Sequence, residues 1–531
     1  MSDLSRSSLH SAPTPLSLSP EPCSNGTSSA DNHTAPSYAQ IFRSSTIIGA
    51  AQIIKMAIGL VRTKFAALLI GPTGIGLISL YESILEFATS VSGLGIQSSG
   101  VRDVAKFHAQ GDQVAIARTV ITLRRLCWLT GIAGMLLLAL LAPWISRWTM
   151  GTTEHATAIA LLGVIIVLTN ITLAQSSVMR GLRRIADLAM TRIFGALFGT
   201  IAAILCYWSL GPGGIPAALI LVASAGLAVS AFYARKVTLA SVAVTWKESL
   251  IAAGGMMSFG LAVAWSGFMT TLVGWITRGI VIRSEGLEQL GIYSAAAMVS
   301  AVFIQFILNT MGTDFFPSIV AVSHSRPRMT RLINEQTEIG IVMAFPGLLA
   351  TLLFSPWLIR FLYSSDFAAA SGLLNWFVVG CFAKLISWPL RFSLLAKGQS
   401  RLFVLAETSY NLVHLLLFAL GLRTFGLHGV AYAFAASYGI YLAGVFLLSR
   451  LHIGFAWDRS VLRLVGLCVI LGGTVFAVAT HFSATISLLV GIPILIFSCW
   501  MSLRHLIIRL GKDHAWVRKI SQMPGGKWLT R

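Results

Sequence analysis

From residue 44 to residue 506 the chain is a succession of long apolar runs separated by short polar breaks. Crossing a hydrocarbon core takes about 20 apolar residues in a helix. On that measure the pattern predicts spans over 44–70, 75–100, 122–143, 156–178, 188–209, 215–234, 250–278, 290–313, 337–360, 371–391, 402–422, 427–449, 461–480 and 483–506, about 14 in all.

The run pattern repeats itself weakly at an offset of about 215 residues. Gly76-Leu77-Ile78-Ser79 is matched by Gly291-Ile292-Tyr293-Ser294, and Gly214-Ile215-Pro216-Ala217 by Gly429-Val430-Ala431-Tyr432. Gly181, after Val178-Met179-Arg180, is matched by Gly398, after Leu395-Ala396-Lys397. Six helices per half is an even number, so both halves insert in the same orientation and their repeat axis lies along the membrane normal. The expected organisation is a disordered tail over 1–42, six-helix lobes over 43–245 and 246–450, an extra helix pair over 451–510, and a basic tail over 511–531. The extra pair, from Val461 onward, has no counterpart in the repeat and reads as an appendage.

Composition agrees with an all-α polytopic membrane protein: 56% of residues are apolar and 11% charged, against about 25% charged in soluble proteins. The six cysteines show no paired spacing, and no metal or cofactor signature accompanies them. A formal charge of +20 raises the question of nucleic acid, but the cations sit in short loops rather than on one domain. Arg102, Lys106, Arg118, Arg124 and Arg125, then Arg180, Arg183 and Arg184, then Arg235, Lys236 and Lys247 lie on one side of the expected topology. Arg326, Arg328 and Arg331, then Arg391, Lys397 and Arg401, then Arg450, Arg459 and Arg463 continue that side, with the C-terminal tail. The opposite side holds little beyond Arg147, Arg283, Arg360 and Arg423. The positive-inside rule then places both termini in the cytoplasm. Outer loops of no more than roughly a dozen residues leave no place for an extracytoplasmic catalytic domain.

Ionisable residues inside the spans are the candidate chemistry. A Lys or Arg at the bilayer centre costs about 3 kcal/mol on insertion scales and faces the bundle interior. Lys55 and Arg62 in the first helix are seven residues apart and so share a face. Glu82 and Glu86 stack one turn apart in the second. Counting about 1.5 Å per residue from each helix end pairs Lys55 with Glu86 and Arg62 with Glu82 in depth. Such bridges either neutralise the cost of insertion or set two cations against an anionic cargo, with the carboxylates as modulators or ion-coupling groups. Arg278 falls within a residue of Arg62 after the repeat offset, and Lys384 lies beside Ser387-Trp388-Pro389. A cation from each half suits a phosphate, which the planar guanidinium grips with two bonds. Lys64 and Arg192, near helix ends, are expected to snorkel. Asn170, Gln175, Gln305 and Asn309 are expected to glue helices together, and Asp314 to cap one.

Residues 64–77, centred on Gly71-Pro72-Thr73-Gly74-Ile75-Gly76, resemble the junction of helices one and two in bacterial polysaccharide exporters. Ser92-Gly93-Leu94-Gly95-Ile96-Gln97 resembles the end of their second helix. Leu395-Ala396-Lys397-Gly398-Gln399-Ser400-Arg401 with Leu405-Ala406-Glu407 is similar to their helix ten–eleven turn, and Leu427-His428-Gly429-Val430-Ala431-Tyr432 to the start of helix twelve. These exporters are the Wzx-type lipid-linked oligosaccharide (O-antigen) flippases of the multidrug/oligosaccharidyl-lipid/polysaccharide (MOP) superfamily, and the resemblance covers about residues 42–450. It implies a V-shaped pair of lobes in the bacterial inner membrane and an undecaprenyl-pyrophosphate-linked glycan as cargo, with polysaccharide polymerase and chain-length machinery as partners. It implies no cofactor and no covalent chemistry. Arg62, Arg278, Lys55 and Lys384 are the candidates for holding the pyrophosphate. Two other readings stand beside it: a multidrug or cation antiporter of the same superfamily, which calls for an acidic cavity, and a membrane glycan polymerase or ligase, which calls for a large outer loop.

Overall fold

The computed structural model describes residues 38–510, and every contact below lies within the compact unit that begins at Thr46. The basic tail at 511–531 and the first 37 residues lie outside the described residues. From Tyr38 onward the chain is helical, and the expected tail over 1–42 falls mostly outside the described residues.

All regular structure among the described residues is helical. The elements are α1 (Tyr38–Gly93), α2 (Ile96–Ala109), α3 (Gln113–Met150), α4 (Ala156–Gly181), α5 (Ile185–Leu210), α6 (Ile215–Ala234) and α7 (Trp246–Ala321). They continue with α8 (Arg326–Leu353), α9 (Ser355–Leu362), α10 (Ala370–Ala396), α11 (Ser400–Ile453), α12 (Arg459–His481) and α13 (Ala484–Leu510). Nine stretches among the described residues are long and apolar enough to cross a membrane, against the 14 spans expected. Several of the nine are of double length: Ile185–Ala234 joins α5 to α6, and Ser400–Ile453 runs 54 residues. The protein is a multi-pass membrane protein, with Leu140, Trp208, Phe361 and Leu489 among many large apolar side chains left on its outer surface, as hydrocarbon requires.

The long helices break at glycines, and the breaks follow the repeat. α1 leaves helical geometry at Gly71 (φ 62°) and α7 at Gly286 (φ 89°), 215 positions on. Gly211 (φ 55°), between α5 and α6, recurs as Gly426 (φ 58°) inside α11. Left-handed φ costs a side-chain-bearing residue about 1–2 kcal/mol, so glycine marks both corners. The third left-handed pair corrects the sequence match: the partner of Gly398 (φ 71°) at this offset is Arg183 (φ 55°), not Gly181. Local packing repeats as well. A Cβ on Gly214 would meet the carbonyl of Cys206, and one on Gly429 the carbonyl of Gly421.

At their start the second segments of α1 and α7 cross almost backbone to backbone. A Cβ on Gly76 would lie 2.1 Å from the Leu287 carbonyl oxygen, and one on Gly291 2.0 Å from that of Pro72. The repeated glycines are thus the crossing point of the two repeats. Beside them, Lys64 donates to the carbonyls of Arg360 and Tyr363, Arg283 to that of Arg147, and Trp148 packs on Gly279. Lys64 therefore bridges the repeats rather than snorkelling to the surface.

α12 and α13 are more than an appendage. Asn334 in α8 donates to the Ala456 carbonyl and accepts from the Asp458 amide, fixing the lead-in to α12. Gly491 in α13 lies close against Leu353, and His505 stands 3.8 Å from Glu338.

Candidate functional site

The crossing point carries polar side chains. One turn beyond Gly76, Ser79 Oγ accepts a hydrogen bond from Ser294 Oγ at 2.7 Å and another from Arg278 Nε at 2.8 Å. Ser79 and Ser294 are the repeat mates singled out in the sequence. Arg278 also donates to the Gly274 carbonyl, 2.9 Å away within its own helix. That leaves one terminal nitrogen of its guanidinium uncommitted among the described residues.

The carboxylates of α1 are close. Glu86 has Arg278 and Glu82 as its charged neighbours, and Glu82 lies 3.7 Å from Arg62. The expected Arg62–Glu82 bridge is therefore present. The expected Lys55–Glu86 bridge is not formed: α1 bends at Gly71, and the tight crossing at Gly76 turns Glu86 toward Arg278 of the second repeat. Lys55 instead faces Arg62 and Arg192, and Arg192 in turn faces Arg180 at the end of α4. Arg192 thus joins the intramembrane cations rather than snorkelling away, a role missed because its place near a helix end suggested escape to water. Lys55 and Glu86 are both exposed, so the group is not a buried ion network.

Lys384 is not brought to this cluster. Its ammonium stands 5.6 Å from the ring centre of Tyr438, within a second polar group of α10 and α11. Buried Glu407 there accepts hydrogen bonds from Tyr441 and, at 3.1 Å, from Ser266 of α7. Arg391 approaches Glu407 to 3.8 Å, and Tyr410 packs against both Tyr438 and Tyr441. Arg391, the last residue of the expected span, lies inside α10, which continues through Pro389 to Ala396. A stripe could have revealed the cluster, since Glu407, Asn411 and His414 share one face of α11 at helical spacing. Of the other polar candidates, Asn170 bridges α4 to Ser92 of α1 at 3.3 Å, whereas Gln305 bonds Asn309 within its own helix. The side chain of Asp314 lies outside the described residues. No cluster of metal-binding side chains occurs among the described residues.

The family model for polysaccharide biosynthesis proteins matches residues 66–372, more than half of the chain. The chain belongs to this family. Its match runs from the first segment of α1 through the crossing point, the α1 carboxylates and Arg278 to the start of α10. The chain is also similar to the lipid III flippases of Escherichia coli (strain K12) and Shigella flexneri, at 25% identity over 423 residues, covering 77% of this chain and 98% of each relative. Among solved structures it resembles the lipid II flippase MurJ in an inward closed conformation, with a TM-score of 0.64, 12% identity, and 88% and 99% of the two chains covered. It likewise resembles an inward-facing multidrug resistance MATE family transporter of the MOP superfamily, with a TM-score of 0.62, 13% identity, and 77% and 98% covered. At these identities the solved structures speak for the fold alone, which the chain shares with these transporters.

Proposed function

We propose that this protein is a flippase that carries a polyprenyl-pyrophosphate-linked oligosaccharide across the membrane by alternating access, without covalent chemistry. The observation that carries the reading is the cationic wall: Lys55, Arg62, Arg180 and Arg192 on the first repeat, with Arg278 reaching in from the second. Glu82 and Glu86 are the only acids recorded against these cations among the described residues, so the space favours an anion. That charge balance disfavours a cationic drug as cargo. A pyrophosphate brings several negative charges and many acceptor oxygens, which arginine forks bind with two parallel bonds each. Relatives acting on lipid III support the lipid-linked glycan as cargo class.

The two lobes are taken as residues 43–245 and 246–450, with both termini in the cytoplasm of a bacterial cell and the inner membrane as the site of action. In that topology the Gly76–Gly291 crossing, the Lys64 bridge and the Trp148–Gly279 contact all lie toward the outer face, and the cationic wall opens inward. Cargo assembled on the cytoplasmic side enters there, its glycan between the lobes and its polyprenyl chain in lipid. O-antigen or a similar surface-polysaccharide unit is the expected glycan, with a polymerase and chain-length machinery downstream. Arg62, Arg278 and Lys55 hold the pyrophosphate; Lys384, against Tyr438, meets the glycan end or a later position of the phosphate. Glu82 and Glu86 compete with the cargo for the arginines and so release it.

A binding experiment separates this from the other readings. Purified full-length protein is titrated with a pyrophosphate-linked oligosaccharide, the same glycan on a neutral polyprenol, and a cationic dye. The flippase reading expects saturable binding of the first alone, weakened at least tenfold in Arg62→Ala. Preference for the dye would transfer the protein to the antiporter class, and glycan elongation or transfer in the same tube to the polymerase or ligase class.

A further inference from the structure

A cavity in the first repeat is lined by none of the residues of the cationic wall. It holds about 350 Å³ between α3, the ends of α4 and α6, and the connector that leads from α6 to α7. Arg124 and Arg235 line it, together with Gln175 and the connector residues Val237 and Leu239. Gln175 and Arg180 are five residues apart on α4, which sets them about 140° apart around the helix. The cavity and the cationic wall are therefore served by different faces of α4.

Its polar groups lack partners. Neither Arg124 nor Arg235 has a hydrogen-bond or ion-pair partner among the described residues, and both are exposed. The Gln175 Oε1 is buried without any donor. A buried acceptor left unpaired costs about 1–3 kcal/mol, and two uncompensated guanidinium groups at one cavity set up a positive potential. An occupant that meets both demands carries an anionic phosphate for the arginines and a hydroxyl donor for the glutamine. Apolar lining from Val120, Ile171 and Val178 suits a molecule with an apolar part as well.

We infer that this cavity binds a phosphodiester with a hydroxylated headgroup, of the kind phosphatidylglycerol presents at a membrane surface. The connector makes the site consequential. Arg125, beside Arg124, donates to the Val244 carbonyl at 2.9 Å and to Ser249 Oγ at 3.1 Å, and its guanidinium lies 4.7 Å over the Trp246 ring. The connector between the repeats is thus tied to α3 at its far end and roofs the cavity at its near end. A ligand held by Arg124 and Arg235 closes the tie at both ends and restrains the segment that must flex when the repeats move against each other.

Native mass spectrometry of the full-length protein in mild detergent tests this, with phosphatidylglycerol, phosphatidylcholine and soluble glycerol 3-phosphate as probes. The expected result is retention of phosphatidylglycerol about tenfold over phosphatidylcholine, the scale of one charge-assisted contact set. Arg124→Gln with Arg235→Gln removes that preference, while Arg326→Gln with Arg328→Gln, equal in charge removed and equally exposed, keeps it. Gln175→Leu lowers retention of phosphatidylglycerol but not of phosphatidic acid, which has no headgroup hydroxyl to offer. Binding of glycerol 3-phosphate in place of the lipid assigns the same chemistry to a soluble source. Phosphatidylglycerol lifts hydrogen-exchange protection over residues 237–245 in the wild type only. Equal loss in both arginine pairs, or no preference for either phosphate probe in a folded wild type, overturns the inference.

Discussion

Ser79 shows how one residue joins the two repeats: its hydroxyl takes hydrogen bonds from Ser294, its own repeat mate, and from Arg278. The contact exists because Gly76 and Gly291, one turn earlier, let the two backbones touch. Gly76→Ala places a methyl 2.1 Å from a carbonyl oxygen that no rotamer change can move. We expect a loss of about 1–3 kcal/mol, the usual cost of overpacking, read as a lower thermal midpoint and faster labelling of Ser79→Cys from the outer side. Gly267→Ala is the control, because Gly267 is exposed in α7 and nothing lies within 4 Å of its Cβ position, and a midpoint loss as large in Gly267→Ala as in Gly76→Ala would contradict the assignment. The glycine and serine landmarks of this crossing were legible in the sequence. The Arg183 corner was not, since what repeats there is a left-handed backbone and not a residue type.

Among the elements, α10 and α11 depart most from what the sequence suggested. The expected span ends at Arg391, yet α10 continues through Pro389 to Ala396, as membrane helices tolerate proline when neighbours satisfy the freed backbone. Arg391 then stands by Glu407, which also serves Tyr441 and Ser266. Glu407→Leu strips the acceptor from the Tyr441 and Ser266 hydroxyls and the counter-charge from Arg391, and is expected to cost about 3 kcal/mol, whereas Glu407→Gln keeps one acceptor oxygen for a hydroxyl and loses less. Equal thermal midpoints for the two variants would show that the cluster contributes no structural hold. At the start of α7, Thr245 and Glu248 form a capping box, with Thr245 N donating to Glu248 Oε2 at 2.9 Å and Glu248 N to Thr245 Oγ1 at 3.3 Å. The hydrogen bond from the Thr245 backbone holds this exposed carboxyl below the usual carboxylate range. A lowered folded-state pKa stabilises above the unfolded value of about 4.3 and is lost as pH falls through the folded one. Hydrogen exchange at the first turn of α7 is therefore expected to quicken in acid beyond its intrinsic trend, and to do so less in Glu248→Gln. An unchanged pH response in that variant would remove the capping box from the account.

For the whole molecule, left-handed glycine corners recur 215 positions apart, the repeats touch at Gly76 and Gly291, and Arg62 and Arg278 approach the α1 carboxylates from either repeat. Apolar periodicity and the 215-residue offset carried most of this architecture, because both are properties of single helices and their order. The partners of the charges were half legible. Depth counting along straight helices found Arg62–Glu82 but misplaced Glu86, whose direction depends on the bend at Gly71 and the close approach that follows. The most direct test of the central claim is the transfer rate of a labelled polyprenyl-pyrophosphate oligosaccharide across proteoliposomes, comparing wild type with Arg62→Ala and Arg278→Ala. The account predicts transfer by the wild type and a loss of at least tenfold in each variant, with insertion and thermal midpoint retained. Equal transfer by all three proteins would contradict a phosphate-binding role for the cationic wall.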